Sequence, residues 1–227
     1  MKCMRPLAIM AGVVLAAQVA SAQDISRYRT YVLESTLETV VAAAGGRATE
    51  VKTLHERPAK IQELEWRAPY LSSGNEPADP VREIAFTFFD GALYQIVVSY
   101  DRDRTDGLTN SDIIASLSTV YGNPVLRSAK TRTSRPATVL PDTTVLAQWE
   151  DASSLLALVR GTYSPEFQLI LISKPLSTRA QRAIAEAIRL EAIEAPRREV
   201  EQRRQDAADA SAAREKTRTS NKAAFRP

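Results

Sequence analysis

The densest run of chemically capable side chains is His55-Glu56-Arg57-Pro58 followed by Gln62-Glu63-Leu64-Glu65-Trp66. It supplies a general base in His55, a cation in Arg57 and a carboxylate pair in Glu63 and Glu65. On a strand, residues two apart project from one face roughly 7 Å apart. At that separation one carboxyl can protonate a leaving group while the other activates water, as in inverting glycosidases. The same pair is equally what solubility asks of a half-buried strand. No nucleophile, metal set or glycine-rich loop accompanies the run, and Arg57 can serve simply as the cation for a carboxylate. His55 then acts as a polar contact.

A second cluster, Asp101-Arg102-Asp103-Arg104-Thr105-Asp106-Gly107 ending at Asp112, places oxygen groups where a calcium loop has its first, third, fifth and twelfth ligands. Its glycine falls one place late and its twelfth ligand is Asp rather than Glu, so a strand-to-helix turn accounts for it better. Asp101, Arg102 and Thr105 stay in view as contact residues. Arg127, Lys130, Arg132 and Arg135 give a later loop four positive charges, which fit an ordinary mobile loop better than a docking point for an anionic group. There is no G-x-S-x-G, P-loop, H-E-x-x-H or G-x-G-x-x-G. One Cys (Cys3) and one His in 227 residues leave no basis for a disulfide, Cys-ligated zinc, an iron–sulfur centre or a His-His metal pair. No cofactor is expected.

Residues 1–22 read as a cleavable signal peptide. Lys2 and Arg5 lead an apolar run from Leu7 to Ala17, and Ala20-Ser21-Ala22 is an A-x-A site before Gln23. The run is shorter than the roughly 20 residues a membrane span needs, and no later segment reaches that length. Export without disulfides points to a bacterial periplasm, or to a secreted protein. Residues 23–174 carry 16 basic and 19 acidic groups, whereas residues 175–227 carry 12 and 8. The body is therefore mildly acidic and the tail basic, the reverse of a nucleic-acid domain with a cationic folded face.

The elements that must position these groups are short. Tyr28 to Leu33 reads as a strand, and Ser35-Thr-Leu-Glu38 as a capping box opening a helix that Gly45-Gly46 ends. Val51 to His55 and Ile61 to Arg67 read as strands. In the second, Leu64 and Trp66 face inward while Ile61, Glu63, Glu65 and Arg67 face out. Asp90-Gly91 is a type I′ turn signal between Arg82–Phe89 and Leu93–Tyr100. Thr109 to Asp112 is a second capping box, with Gly122 and Pro124 closing its helix. Val145–Trp149, Leu155–Thr162 and Phe167–Ser173 complete the strands.

Side by side, residues 28–100 and 101–174 look like one αβββ-like unit used twice, with Trp66 and Trp149 in corresponding places. The fold expected of residues 23–176 is α+β: one antiparallel sheet with two short helices on one face. Residues 177–195 form an amphipathic helix that docks on it. Pro196 should break or kink that helix, leaving residues 196–227 as a charged, fraying helix that ends in disorder.

The strings His55–Trp66 (HERPAKIQELEW) and Tyr100–Thr109 (YDRDRTDGLT) resemble a family of uncharacterised exported bacterial proteins, a likeness covering residues 28–121. It implies compartment and domain, and no activity. More remotely, the tandem order and Gly122-Asn123-Pro124 are similar to β-lactamase inhibitor protein and the small lipoproteins of outer-membrane assembly, a likeness of fold alone. The expectation is a non-enzymatic exported binding or scaffold protein whose partner is an envelope protein or an anionic wall polymer. The alternative is a weak carbohydrate-active hydrolase using Glu63 and Glu65.

Overall fold

The computed structural model describes residues 24–45, 51–68, 79–125, 143–161, 166–224 and 226. The signal-peptide segment and the basic loop of Arg127 to Arg135 lie outside them.

Local chemistry sets most boundaries. Asp90 and Gly91 both adopt left-handed φ (48° and 82°), the geometry of a type I′ turn, and join β5 (Val81–Phe89) to β6 (Ala92–Tyr100). In α3 (Asn110–Tyr121) the capping box is complete. The Thr109 N–H donates to the Asp112 carboxylate at 2.8 Å, and the Asp112 N–H to the Thr109 hydroxyl at 3.3 Å. Gly45 follows α1 (Leu37–Ala43), and Gly122 follows α3, each with φ near +70° or above (67° and 77°), as a left-handed stop requires.

Two local expectations are corrected. Tyr28 to Leu33 is not one strand but a tight hairpin of β1 (Arg27–Tyr28) and β2 (Tyr31–Val32), turning at Arg29 with φ 53°. The doubling back lets Tyr28 and Tyr31 both enter the core. The N-cap of α1 is Thr36, whose hydroxyl accepts from the Thr39 N–H. Ser35 instead donates its hydroxyl to the Val32 carbonyl.

The remaining strands are β3 (Lys52–His55), β4 (Ile61–Arg67), β7 (Thr143–Glu150), β8 (Ser154–Gly161) and β9 (Phe167–Ser173). One seven-stranded antiparallel sheet runs β3-β4-β5-β6-β9-β8-β7. Set β3 aside and the order is symmetric about the β6–β9 pair. The units α1-β4-β5-β6 and α3-β7-β8-β9 meet through their last strands, and Trp66 and Trp149 lie on the first strand of each. A single register line crosses the sheet through Leu64, Phe86, Ile96, Leu171, Leu156 and Trp149. All six are buried in the cluster that also takes Val40 of α1 and, at its margin, Ile113, Ile114 and Leu117 of α3. Each such side chain is worth about 1.5–3 kcal/mol on burial. Both helices thus cover one face, as the repeat required.

The other face differs from expectation. α4 (Lys174–Ala224) leaves β9 directly and lays Ala180, Leu176, Ala183 and Ile184 over Ile61, Phe89 and Tyr94. Ile61, expected to face out, is therefore 1% exposed. Part of the Ile61–Glu63–Glu65–Arg67 face has a helical roof and is no open solvated surface. Further along this face Leu155, Ala157, Val159, Ile170 and Ile172 form a separate apolar cluster.

α4 is also longer than expected. It continues through Pro196 without interruption for 51 residues, about 75 Å at 1.5 Å per residue. The missing Pro196 N–H and the clash with the preceding turn weaken the helix there. Strong helix formers on both sides and ion pairs such as Arg203–Glu199 (2.5 Å) and Arg218–Glu215 (2.6 Å) carry it on. From Arg197 to Ala224 every residue is exposed. No helix among the described residues is long and apolar enough to cross a membrane.

Candidate functional site: a cleft between the edge strand and the long helix

β3 is an outer strand of the sheet, and the turn after it is pinned from below. The Lys60 N–H donates to the Asp90 carboxylate and the Asp90 N–H to the Lys60 carbonyl, both at 2.8 Å. The Arg57-Pro58 peptide in this turn is cis. Beyond the turn, α4 crosses the end of the sheet, with the Arg179 guanidinium 5.0 Å from the Phe89 ring centroid. The helix then passes β3, leaving a cleft of about 200 Å³. Leu54, His55, Glu56 and Arg57 form one wall, and Ala187, Leu190, Glu191, Glu194 and Arg198 the other.

The walls are tied by charge. Arg57 donates to Glu194 across the cleft at 2.8 Å, and within the helical wall Arg198 stands 3.9 Å from Glu191. An exposed pair of this kind adds little stability, at most about 1 kcal/mol. It orients the guanidinium over the cleft. Leu54, Ala187 and Leu190 add an apolar lining. The arrangement offers donors, acceptors and a strand edge to a polar extended ligand. It contains no nucleophile held by a base.

The sequence-derived candidates do not form one site. His55 and Arg57 come together here. Glu63 and Glu65 lie on β4, outside the cleft. Glu65 accepts from Arg67 at 3.1 Å, and Arg67 also approaches Glu83 at 3.4 Å. Glu63 lies in the field of Tyr94, whose hydroxyl pKa is pushed up to about 12, by burial first and the Glu63 carboxylate second. Asp101, Arg102 and Thr105 sit beyond the far end of β6, about 27 Å along that strand from the Asp90-Gly91 turn. There the Asp101 carboxylate accepts from the Asp103 N–H (2.8 Å) and the Arg104 N–H (3.3 Å) to cap the one-turn helix α2 (Arg102–Thr105). Thr105 bonds the Asp101 carbonyl at 2.8 Å and is buried. Asp112 is engaged by Thr109, so the calcium-like spacing is spent on turn and cap. Among the described residues no group of three His, Cys, Asp or Glu is placed to hold a metal ion.

Sequence reasoning missed the α4 wall of the cleft. Glu191, Glu194 and Arg198 read locally as a solvated helix face, and nothing near them signals an edge strand more than 130 positions earlier. It also missed an anchor at the opposite end of the sheet. Arg29 makes two bonds to Asp79, at 2.6 and 2.7 Å, which hold the Asp79 carboxyl below its ordinary value. Beside it the Tyr28 and Tyr100 hydroxyls are hydrogen-bonded, and the Tyr121 hydroxyl donates to the Arg27 carbonyl at 3.2 Å. Burial pushes all three tyrosines up, Tyr121 to about 12.

Set against protein-family models, curated proteins and solved structures, the chain matches none of them. Its functional reading rests on this geometry.

Proposed function

We propose that the chain is an exported, non-enzymatic binding protein that takes a protein or envelope partner in the cleft between β3 and α4. The observation that carries this reading is the Arg57–Glu194 pair, which joins a sheet edge to a helix and leaves His55 and the outer side of β3 beside it. An edge strand offers unpaired backbone groups to an extended segment, and flanking side chains supply selectivity. The charged start, the apolar run and the A-x-A segment before Gln23 support the compartment. A hydrolase would need Glu63 and Glu65 to flank one bond, and Arg67 already holds Glu65.

The test is a photo-crosslinker at Leu54, 39% exposed, in the full chain expressed with its leader. The recovered protein should begin at Gln23 and carry one defined envelope component. Arg57→Ala should cut the yield about tenfold, the size expected from losing a charge-assisted hydrogen bond. Crosslinking that is absent, or unchanged by Arg57→Ala, overturns the reading.

A further inference from the structure

Beyond the cleft α4 projects as a helix without a packing partner, and its charges are sorted by face. At 100° per residue, Arg197, Arg204, Arg214, Arg218 and Lys222 fall within an arc of about 100°. Val200, Ala207 and Ser211 lie between them in the same arc. Glu194, Glu199, Glu201, Asp206 and Asp209 fall outside it, as do Arg198, Arg203 and Lys216, and Glu215 sits at its rim, bonded to Arg218 at 2.6 Å. Arg197, Arg204, Arg214 and Lys222 form no ion pair with described residues. Ser177, Ala180 and Ala187, which are buried on the body side of α4, lie on the other side of the helix. The cationic row therefore points away from the domain, unshadowed, over about 38 Å.

We propose that this outward row is a docking surface for an anionic phospholipid bilayer, and that α4 lies along the membrane with its acidic side toward water. The inference deepens the binding-module reading and rests on it for the role of the body. Charge and shape select the occupant. Two copies pairing through this face would set cations against cations. A folded protein partner would draw on buried aliphatic or aromatic anchors, yet Val200 is the one large apolar side chain from Arg197 to Ala224. What remains is a dense, planar array of negative groups, which a straight helix can touch at every cation simultaneously. Each Lys or Arg near such a surface adds favourably to binding, and the effect fades within a Debye length.

The experiment is sedimentation of the full chain with vesicles of phosphatidylcholine alone or with 30 mol% phosphatidylglycerol. The leader also carries cations, Lys2 and Arg5, so row-dependent binding is the part lost in a row variant that keeps the leader. The full chain should bind the anionic vesicles on the order of 100-fold more tightly. Raising the salt to 0.5 M should abolish that preference. The variant R197Q/R204Q/R214Q/R218Q/K222Q should lose at least tenfold of the anionic preference with its circular dichroism unchanged, while K216Q, altered on the opposite side, should stay within about twofold of the parent. Equal binding to both vesicles, a salt-insensitive preference, or full binding by the five-fold variant overturns the proposal. So does row-dependent binding confined to soluble polyphosphate, duplex DNA or an acidic protein. Arg57→Ala should leave sedimentation unchanged while it loses the cleft partner, so either reading can fail without the other.

Discussion

At the scale of single residues, the hydrogen bonds that decide the fold join groups far apart in the chain. Trp149 is 2% exposed, and its indole N–H donates to the Gly122 carbonyl at 2.6 Å, fastening β7 to the end of α3. Trp149→Phe keeps an aromatic ring but strips that carbonyl of its partner and leaves a void. Stability should fall by about 2–4 kcal/mol, read as a lower urea midpoint at constant slope. A loss below about 0.5 kcal/mol would show that the bond contributes nothing. Several short-range arrangements were legible, Thr109 with Asp112, Asp90 with Gly91 and Leu64 by alternation, whereas the cap of α1 was misplaced by one residue. His55 and Arg57 were picked out for their chemistry, but Glu194 and Arg198 were not. A salt bridge across more than 130 positions leaves no periodic trace in either segment.

At the scale of elements, α4 departs furthest from its local code. Its docked turns were legible because Ile184 and Ala187 recur at helical spacing with Ala180 and Ala183 nearby, although Ile188, on the same spacing, is 57% exposed. Its length was not, because an isolated polar helix is marginal by propensity alone and Pro196 argues for a stop. The docked half removes the nucleation penalty, and the exposed half then needs only to propagate. Pro196 should be the weak link between them. Pro196→Ala restores an N–H that can bond the Ala192 carbonyl and removes a local penalty of about 3 kcal/mol. Amide exchange across residues 192–204 should slow markedly. If protection there is unchanged, the two halves are already coupled as tightly as the helix permits.

At the scale of the molecule, the sheet has one face under α1 and α3 and part of the other under α4, and buried tyrosines mark both ends. Tyr94 lies beneath α4 and Tyr121 at the end of α3, with both hydroxyl pKa values pushed up to about 12. Unfolded, each would ionise near pH 10, so above that pH the unfolded chain holds fewer protons than the native one. Stability should accordingly be intact below pH 10 and fall between pH 10 and 12, by about 1.4 kcal/mol per pH unit for each tyrosine. Absorbance at 295 nm and far-ultraviolet circular dichroism recorded together should show phenolate appearing with loss of structure. Because the chain has seven tyrosines, the decisive signal is the part of the absorbance lost in Tyr94→Phe/Tyr121→Phe; its appearance near pH 10 in a folded protein would contradict the burial. The α+β class with its antiparallel sheet was legible from strand alternation, the Asp90-Gly91 turn and the Thr109–Asp112 capping box. The meeting of β6 with β9 was not, since strand alternation says which face is buried and not which strand is the neighbour.

That central seam also divides the mechanical roles of the two units. While β6 and β9 keep their pairing, each unit can accept change in its outer strands without disturbing the other. The roof supplied by Ala180 and its neighbours rests on β4 to β6 alone. Together with β3 and the β1–β2 hairpin, α4 makes the two units unequal, so that a load on the projecting arm is passed to β4, β5 and β6 first.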